Sequence, residues 1–118
     1  MDIRPHRKLE VWKASMEFVK EIYHATESFP GTETYGLVSQ MRRATVSIPS
    51  NLAEGAARLG PKEFRQFLNI AQGSISEVDT QIELAKMLGY ITEQTYAELT
   101  QKLTTISKML YGLTRSIK

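Results

Sequence analysis

Apolar residues recur every three or four positions along most of the chain, and this spacing places side chains on one side of an α-helix. The pattern divides into four segments, and turn-forming residues separate each segment from the next. The first segment runs from about residue 9 to residue 28 and ends before Pro30-Gly31, because proline disfavours helical geometry in the residue before it. Its apolar stripe consists of Leu9, Trp12, Met16, Val19 and Tyr23, and is widened by Phe18 and Ile22.

The second segment contains a proline inside its apolar pattern. It begins near Thr32, which suits the N-cap of a helix. Pro49 removes one backbone hydrogen bond and clashes with the carbonyl of Thr45, at a cost of about 3 kcal/mol. We predict one helix that is kinked at Pro49 and ends near residues 55–57; the alternative is a break, followed by a shorter helix that Ser50 caps. The stripe consists of Leu37, Met41, Ala44, Ile48 and Leu52.

The third segment has clear signals at both ends. It opens at Gly60-Pro61, and proline suits the first position of a helix because its missing N–H would have been unpaired there anyway. It ends before Gly89, which can adopt the left-handed conformation of a residue that follows a helix. Its apolar residues are Phe64, Phe67, Ala71, Ile75, Val78, Ile82, Ala85 and Leu88, with Leu68 beside them.

The fourth segment opens with Thr92, and its apolar spacings alternate between three and four throughout, as in a heptad seam. That seam consists of Tyr96, Leu99, Leu103, Ile106, Leu110, Leu113 and Ile117. No segment alternates with a period of two, so we predict no β-sheet. Four long helices joined by short connections predict an all-α, antiparallel up-down-up-down four-helix bundle. We assign residues 1–118 to this single domain, with residues 1–8 as a flexible basic tail.

The composition indicates a single globular domain and excludes every site that depends on cysteine. The chain has 118 residues and a mass of 13.4 kDa, with 42% hydrophobic and 24% charged residues, which is typical of one globular domain. It has no cysteine, so disulfides, thiolate metal sites and cysteine nucleophiles are excluded. This absence suits a reducing compartment, and we predict a cytoplasmic location. No long uncharged apolar run is present, so we expect no membrane association.

Two patterns that resemble cofactor sites lack essential parts. Glu21-x-x-His24 resembles half of a di-iron carboxylate site, but such bundles need a second Glu-x-x-His pair, and the only other histidine is His6. The stretch from Gly55 to Lys62 has two glycines five positions apart, as phosphate-binding loops do, but it lacks the serine or threonine and the preceding strand of such a loop. We therefore predict neither a metal nor any other cofactor.

A polar stripe lies beside the apolar one on the second helix, and the third helix supplies polar residues that can bond to it. Ser47 and Asn51 are poor residues for a helix interior, so we interpret the stripe as a hydrogen-bonded structural network. We expect Arg43 to pair with Glu54 or Glu77, and Asn51 to bond across helices. The network consists of Arg43, Ser47, Asn51, Glu54, Ser74 and Glu77.

Gly73 lies in the interior of the third helix, beside this network. Glycine there costs about 1 kcal/mol relative to alanine, and we expect the close approach of another backbone to compensate. The alternative interpretation of the polar residues is the site of a small enzyme. No nucleophile–base pair is evident and no histidine lies nearby in the sequence, so the structural interpretation is favoured. The enzyme site would be built from Arg43, Asn51, Glu54 and Glu77.

Basic residues gather around the second helix and the start of the third. The N-terminus of the third helix adds unpaired N–H groups and a positive dipole, although Glu63 competes for the same field. The net charge is only +2. About four phosphate contacts per chain imply weak, non-specific and salt-dependent binding; ordinary solvated side chains are the alternative. The candidates for contacts with nucleic acid are Arg42, Arg58, Lys62 and Arg65.

The second helix carries a long motif, Leu37-x-x-Gln40-x-Arg42-Arg43-Ala44-x-x-Ser47-Ile48-Pro49-x-Asn51-x-Ala53-Glu54-Gly55. This motif resembles the signature of the 23S rRNA intervening-sequence protein family, whose members are also called four helix bundle proteins. The similarity continues through Arg58 and residues 63–77, and it includes Leu9-x-x-Trp12 and Gly89-Tyr90-Ile91, so it covers nearly the whole chain. Gly60 departs from the family pattern, which usually has serine there; a capping hydroxyl is lost, but glycine is a tolerated cap.

The resemblance to this family implies an assembly state and binding partners in addition to the fold. Members of this family are up-and-down four-helix bundles that tend to assemble as ring-like homopentamers, and some are encoded inside intervening sequences of bacterial ribosomal RNA genes. Related accessory proteins of diversity-generating retroelements associate with a reverse transcriptase and with nucleic acid. No enzymatic activity is established for the family. The resemblance therefore implies a non-enzymatic oligomeric scaffold that binds RNA, DNA or a nucleic-acid-processing protein.

The apolar residues also indicate self-association. Five of them lie beside the stripes that a single bundle needs: Phe18, Ile22, Leu68, Ile70 and Leu84. Excess apolar surface on a small protein marks a contact surface for a partner, although part of it can simply widen the core-facing stripe. The sequence alone thus predicts a homo-oligomer, and the resemblance selects a pentamer.

Overall fold

The structure is a computed structural model that describes residues 4–117 of the chain. Over these residues it contains no β-strand, and the predicted all-α four-helix fold is confirmed. None of the described helices is both long enough and apolar enough to cross a membrane. The α-helices are α1 (Glu10–Thr26), α2 (Leu37–Ala56), α3 (Pro61–Met87) and α4 (Glu93–Ser116), and two short 3₁₀ helices cover Pro5–Lys8 and Gly31–Glu33.

The four helices pack side by side around one core. Each helix packs against the next one along the chain, and α4 also packs against α1. The contact between α2 and α3 is the most extensive of these, and that between α1 and α4 is the least extensive. The end of α4 meets the start of α3, where Arg65 bonds to Ile117, and the start of α4 meets the end of α3, where Tyr96 bonds to Glu83. Such contacts fit the predicted up-down-up-down order.

The core confirms the predicted stripes of α2 and α4 and corrects that of α1. All five apolar residues predicted to line α2 are buried, as are the four central residues of the α4 seam. On α1, Met16 and Tyr23 are 44% and 41% exposed. The buried apolar residues of this helix are Phe18 and Ile22, which were predicted to widen the stripe, and Val11, which was not predicted. Two apolar stripes overlap on α1, and packing against α2 and α4 decides which of them turns inward.

The ends of the helices follow local side-chain chemistry. Thr92 caps α4 by accepting a hydrogen bond from the Thr95 N–H at 3.1 Å, and Gly89 has the left-handed conformation that its position predicts, with φ 77°. The prediction that Thr32 caps α2 is wrong, because residues 31–33 form a 3₁₀ helix and α2 begins at Leu37. The Glu33 carboxylate accepts a hydrogen bond from the Leu37 N–H at 3.1 Å, so it satisfies one of the free N–H groups there.

Pro49 lies inside α2, which continues without a break from Leu37 to Ala56. One helix was the favoured prediction and is confirmed, whereas a break with a new start at Ser50 is wrong. The kink at Pro49 stays a prediction. Pro49 is buried, so the apolar contacts of its ring offset part of the cost of the lost backbone hydrogen bond.

Helices α2 and α3 approach each other closely at Gly55, near the turn that joins them. A Cβ at this position would lie 2.7 Å from the Cβ of Phe67 and 3.0 Å from Cδ1 of Phe64. A side chain at Gly55 would therefore push α3 away from α2, since a packed interior has no room to absorb it. The close approach fixes the position of the turn that carries Arg58 and Lys62.

The residues before α1 differ from the predicted flexible tail. Pro5–Lys8 form a 3₁₀ helix that packs against α1 and α2. The His6 ring meets the Trp12 ring edge-on, with 4.9 Å between centroids, and the Arg7 guanidinium lies 5.5 Å from the centre of the same ring. The proline favours a helical turn, and Trp12 offers a surface on which that turn rests. The rest of the predicted tail, residues 1–3, lies outside the described residues.

Candidate nucleic-acid interface and polar α2–α3 face

Arg42 lies at the junction of α1 and α2, where its guanidinium binds the end of α1. Its Nε donates to Thr26 Oγ1 at 3.0 Å, and its Nη2 donates to the Tyr23 carbonyl at 3.2 Å. The guanidinium also lies 4.4 Å from the centre of the Tyr23 ring. Carbonyls at the end of a helix are unpaired and carry partial negative charge, so Arg42 stabilises the end of α1. It lies roughly 24 Å along the bundle from Arg58, away from the other predicted phosphate-binding residues.

Arg58, Lys62 and Arg65 lie together around the turn between α2 and α3. Lys62 is exposed in the first turn of α3. Arg58 is also exposed, and its guanidinium lies 4.9 Å from the centre of the Phe67 ring. Arg65 is half-buried, and its Nη1 donates to the Ile117 carbonyl at 3.1 Å, just beyond the end of α4. The structure therefore brings three of the four predicted residues to one end of the bundle.

Sequence reasoning does not single out three further basic residues near the same end. Arg7 and Lys8 belong to the 3₁₀ helix before α1, and Arg115 belongs to the last turn of α4; all three are exposed. Each is distant in the sequence from the α2–α3 turn, and only the packing of the helices brings these segments together. The one signal in the sequence is that basic residues fall near the ends of predicted segments.

The two ends of the bundle carry opposite net charge. Toward the end that holds the α2–α3 turn, the described residues in the ranges 4–13, 54–65 and 108–115 include nine basic and three acidic residues, a net charge of +6. Toward the other end, the ranges 17–43 and 77–102 include five basic and nine acidic residues, a net charge of −4. The small net charge of the whole chain therefore conceals a basic end and an acidic end. The residues in the ranges 4–13, 54–65 and 108–115 are called the basic end below, and those in the ranges 17–43 and 77–102 are called the acidic end.

A pair of hydroxyl groups joins α2 to α3 within the predicted polar stripe. The hydroxyl oxygens of Ser47 and Ser74 are 2.8 Å apart, which is a hydrogen bond between the two helices. Asn51 Nδ2 donates to the Ser47 carbonyl at 2.8 Å and to the Ser47 hydroxyl at 2.9 Å. On α3, Gln81 Nε2 donates to the Glu77 carboxylate at 3.3 Å. The network therefore exists as a cluster of Ser47, Asn51 and Ser74, with Glu77 bonded separately.

The charged residues of the predicted network do not pair with one another. Among the described residues, Arg43 forms no ion pair with Glu54 or Glu77, contrary to expectation. All three side chains are exposed, and water screens exposed charges so well that little holds them in contact. The expectation that Asn51 bonds across helices is also wrong, because its amide reaches back one turn to Ser47 within α2.

A small cleft of about 320 Å³ opens between α2 and α3. Of the four residues in the alternative enzyme site, Arg43 and Glu77 line it, whereas Asn51 and Glu54 do not. Within residues 4–117, no group of three or more histidine, aspartate and glutamate side chains is placed to hold a metal ion. The arrangement thus does not gather the residues that the enzyme alternative requires. The lining residues of this cleft are Gln40, Arg43, Ala44, Ser47 and Glu77.

A larger groove, with a volume of about 1310 Å³, runs between α1 and α4 and is called the α1–α4 groove below. Its lining is more apolar than polar, and Lys102 Nζ donates to the Glu21 carboxylate across it. This hydrogen bond raises the pKa of Lys102. Sequence reasoning missed the groove because the apolar stripes of both helices predict close packing. Ala14 and Ala25 line it with small side chains, which leave the space between the helices unfilled.

These features define a class of protein: a small all-α bundle of four helices whose two ends differ in charge. A family model described as 23S rRNA-intervening sequence protein matches residues 7–112. The chain therefore belongs to the 23S rRNA-intervening sequence protein family, as the motif of α2 predicts.

A solved structure has the same fold. It is a protein of unknown function from the S23 ribosomal protein family of Bacteroides thetaiotaomicron, and its sequence is 26% identical to this chain. The two structures align with a TM-score of 0.79 over 88% of this chain and 97% of the other. Comparison with curated proteins finds no match. The family match and the solved structure thus support the fold, and neither of them names an activity.

Proposed function

We propose that this protein is a non-enzymatic, homo-oligomeric scaffold whose basic end binds the phosphate backbone of RNA or DNA. The observation that carries the proposal is the net charge of +6 at the basic end, against −4 toward the other end. Phosphate contacts supply essentially all of the affinity of non-specific nucleic-acid binding. Basic side chains clustered on one part of a surface are the electrostatic feature that such binding requires.

Within the basic end, the exposed side chains are the ones available to a phosphate backbone. Lys62 and Arg58 flank the α2–α3 turn, and Arg115 lies at the end of α4. Arg65 also bonds to the end of α4, and Arg42 is engaged at the end of α1, so we assign these two mainly structural roles. One chain offers few phosphate contacts and binds weakly. Several copies in one assembly would raise the overall avidity by ~10²–10⁴ through simultaneous contacts.

Exposed apolar side chains support the self-assembly of the scaffold. Of the five residues beside the predicted stripes, Phe18, Ile22 and Leu68 belong to the core. Ile70 and Leu84 are 51% and 42% exposed, so they remain available to a partner. The family resemblance favours a homopentamer, and the absence of cysteine from the sequence favours a cytoplasmic location.

The test is a titration of labelled RNA and labelled DNA with the full chain at about 50 and 200 mM salt. Three phosphate contacts, those of Arg58, Lys62 and Arg115, predict a loss of affinity of roughly 20- to 40-fold between these two concentrations. The variants Lys62→Glu and Arg58→Glu/Lys62→Glu reverse charges at the basic end. Both should bind nucleic acid more weakly than the wild type does at the same salt concentration. Lys20→Glu is the matched control, because Lys20 is an exposed helical lysine toward the acidic end; its affinity should stay close to that of the wild type.

Two outcomes would contradict this part of the proposal. If Lys62→Glu and Lys20→Glu weaken binding equally, the effect reflects net charge and the basic end is not the binding surface. If neither RNA nor DNA binds at the lower salt concentration, the protein is not a nucleic-acid binder. A scaffold that binds a nucleic-acid-processing protein would then be the better account.

A further inference from the structure

Two arginines of the basic end lie over aromatic rings. The Arg58 guanidinium lies 4.9 Å from the centre of the Phe67 ring, and the Arg7 guanidinium lies 5.5 Å from the centre of the Trp12 ring. Both arginines are exposed, whereas both rings are half-buried. Each ring therefore supports a guanidinium on the protein side and leaves the outer side of that guanidinium in solvent.

The ring contact is what holds each of these two guanidinium groups. Neither Arg58 nor Arg7 donates a side-chain hydrogen bond to another described residue. Arg42 also lies over a ring, but its guanidinium donates to Thr26 and to the Tyr23 carbonyl. A guanidinium that only a ring holds keeps its donors available, and it has lost part of its freedom before a ligand arrives, so binding costs less.

Close packing immediately before the α2–α3 turn fixes the ring under Arg58. A Cβ at Gly55 would collide with Phe67 and Phe64 of α3. A Cβ at Gly73, by contrast, would meet nothing within 4 Å, so the close backbone approach predicted at that position is absent. Helices α2 and α3 thus meet closely next to the turn, where a packed contact holds the Phe67 ring in place.

Leu59 adds apolar surface beside the Arg58 guanidinium. Its relative exposure is 105%, and it lies in the turn between α2 and α3, next to Arg58 and three residues before Lys62. It takes no part in the core. Proteins that bind nucleic acid use apolar side chains of this kind to contact the faces of bases. The turn therefore presents a guanidinium, an apolar side chain and a lysine side by side.

The arginine over Trp12 belongs to the same end of the bundle as this turn. The 3₁₀ helix that carries Arg7 packs against α1 and α2. Helix α2 ends at Ala56, two residues before Arg58. A strand of nucleic acid that contacts the α2–α3 turn can thus extend toward Arg7.

We propose that the basic end binds single-stranded nucleic acid and stacks unpaired bases on the outer sides of Arg58 and Arg7 and against Leu59. The inference rests on the proposed function and names the class of nucleic acid that the basic end takes. Unpaired bases stack on guanidinium planes as they do on aromatic rings. Every base has a π-face, so the site accepts RNA and DNA with little preference for sequence.

Stacking and phosphate contacts predict opposite preferences. Phosphate contacts alone favour a duplex, because its charge density is higher and each contact releases more counterions. In a duplex, however, neighbouring bases cover the faces of each base, so only an unpaired strand offers them to the protein. Stacking strengthens binding by about 5- to 100-fold per base. Tighter binding of single strands than of duplexes therefore identifies stacking.

The first experiment compares single strands with duplexes of the same length at about 50 mM salt. The probes are oligouridine and oligodeoxythymidine of about 12 nucleotides, within the site sizes of known single-strand-binding domains, and RNA and DNA duplexes of equal length. The wild type should bind both single strands at least about fivefold more tightly than the duplexes.

Two charge-conserving variants assign the preference to the guanidinium plane. Arg58→Lys keeps the positive charge and removes the plane, so it should lower the affinity for single strands about fivefold or more and change duplex binding little. Arg115→Lys is the matched change, because Arg115 is exposed at the same end and lies over no aromatic ring among the described residues. It should affect single strands and duplexes alike and keep the ratio between them.

A change without charge tests the apolar part of the surface. Leu59→Ala alters no phosphate contact and removes apolar surface that the core does not use, so it should lower single-strand affinity about threefold to tenfold. Leu88→Ala is the matched control, because Leu88 is an exposed leucine of the acidic end. Its affinity should equal that of the wild type. Circular dichroism confirms that each variant is folded.

Trp12 is the only tryptophan of the chain, so its fluorescence reports on Arg7 without a label. Oligouridine should quench the emission at saturation, and Arg7→Lys should reduce both the quenching and the affinity. Emission that saturating oligouridine leaves unchanged would contradict the placement of a base on Arg7.

The outcomes separate stacking from the proposed function. If duplexes bind as tightly as single strands, or if Arg58→Lys and Arg115→Lys change the ratio equally, stacking is wrong while phosphate binding at the basic end stands. If neither single strands nor duplexes bind, the proposed nucleic-acid binding fails and the stacking surface fails with it.

Discussion

Glu33 shows how one side chain can join three parts of the bundle. One oxygen of its carboxylate accepts the Leu37 N–H at the start of α2, and the other accepts the Tyr90 hydroxyl at 2.9 Å, in the turn before α4. The Tyr90 ring packs against Phe29, with 5.2 Å between the ring centroids. Both hydrogen bonds favour the charged carboxylate, and they lower the pKa of Glu33, the bond from Leu37 more than that from Tyr90.

Glu33→Gln should lower the melting temperature at neutral pH and have less effect in acid. The folded-state pKa of Glu33 lies below the ordinary 4.5, so its carboxylate stabilises the fold above the unfolded-state pKa. That contribution is lost as the pH falls through the folded-state value. Wild type and variant should therefore differ most near pH 7 and converge below about pH 4. Thermal unfolding followed by circular dichroism across this range measures the difference.

Tyr90→Phe provides the internal control for this prediction, because it removes one of the two hydrogen bonds to the Glu33 carboxylate and keeps the aromatic ring. It should show a smaller version of the same pH dependence. A difference between wild type and Glu33→Gln that is the same at all pH values would mean that the carboxylate contributes through packing and that its charge is unimportant.

Helices α4 and α1 differ in how far their sequence patterns predict their packing. On α4 a single row of apolar residues repeats, and its centre, including Leu99 and Leu103, is buried. On α1 apolar residues occupy two overlapping stripes, and the stripe that contains Met16 and Tyr23 stays largely exposed. A helix with one apolar stripe has one face to bury, whereas a helix with two leaves the choice to its neighbours.

Leu103→Ala should destabilise the protein by about 2–5 kcal/mol, because removing a buried leucine leaves a cavity that the surroundings fill only in part. Leu103 is 2% exposed in the centre of the α4 seam. Leu84→Ala makes the same chemical change at a position that is 42% exposed, and it should cost about 0.5 kcal/mol or less. Urea unfolding of both variants, at a chain concentration below that of assembly, measures the two costs. Equal losses of stability in the two variants would contradict the placement of Leu103 in the core and of Leu84 on the surface.

The four helix-to-helix contacts of the bundle are unequal. Helices α2 and α3 share the most extensive contact, and the hydrogen bond between Ser47 and Ser74 joins them. Helices α1 and α4 share the least extensive one, and the ion pair between Lys102 and Glu21 crosses the open groove between them. Ion pairs near the surface contribute little to stability. The bundle should therefore open first between its first and last helices.

Native-state hydrogen exchange tests this expectation. In the single chain, amides of α1 and α4 should exchange faster than core amides of α2 and α3, because local opening follows the least packed contact. Lys102→Met should leave the protection of α2 and α3 unchanged. Equal protection in all four helices would contradict the inference.

The sequence by itself determined which segments are helical, the start of α3 at Gly60-Pro61, the cap at Thr92, the turn at Gly89 and the buried seams of α2 and α4. Each of these depends on residues within one or two turns of one another, where sterics and capping act directly. The family motif is likewise a local pattern. The sequence also identified polar residues on α2 and α3, of which Ser47 and Ser74 do join the helices.

Only the tertiary structure decided which stripe of α1 turns inward, where the charges gather and which surfaces stay uncovered. Arg7, Arg58 and Arg115 are distant in the sequence, and helix packing alone brings their segments to one end. The partners of Arg42, and the lack of an ion pair between Arg43 and any other described residue, depend on the spacing of side chains from different helices. Such distances arise from the balance of packing over the whole core, and no local pattern contains that information.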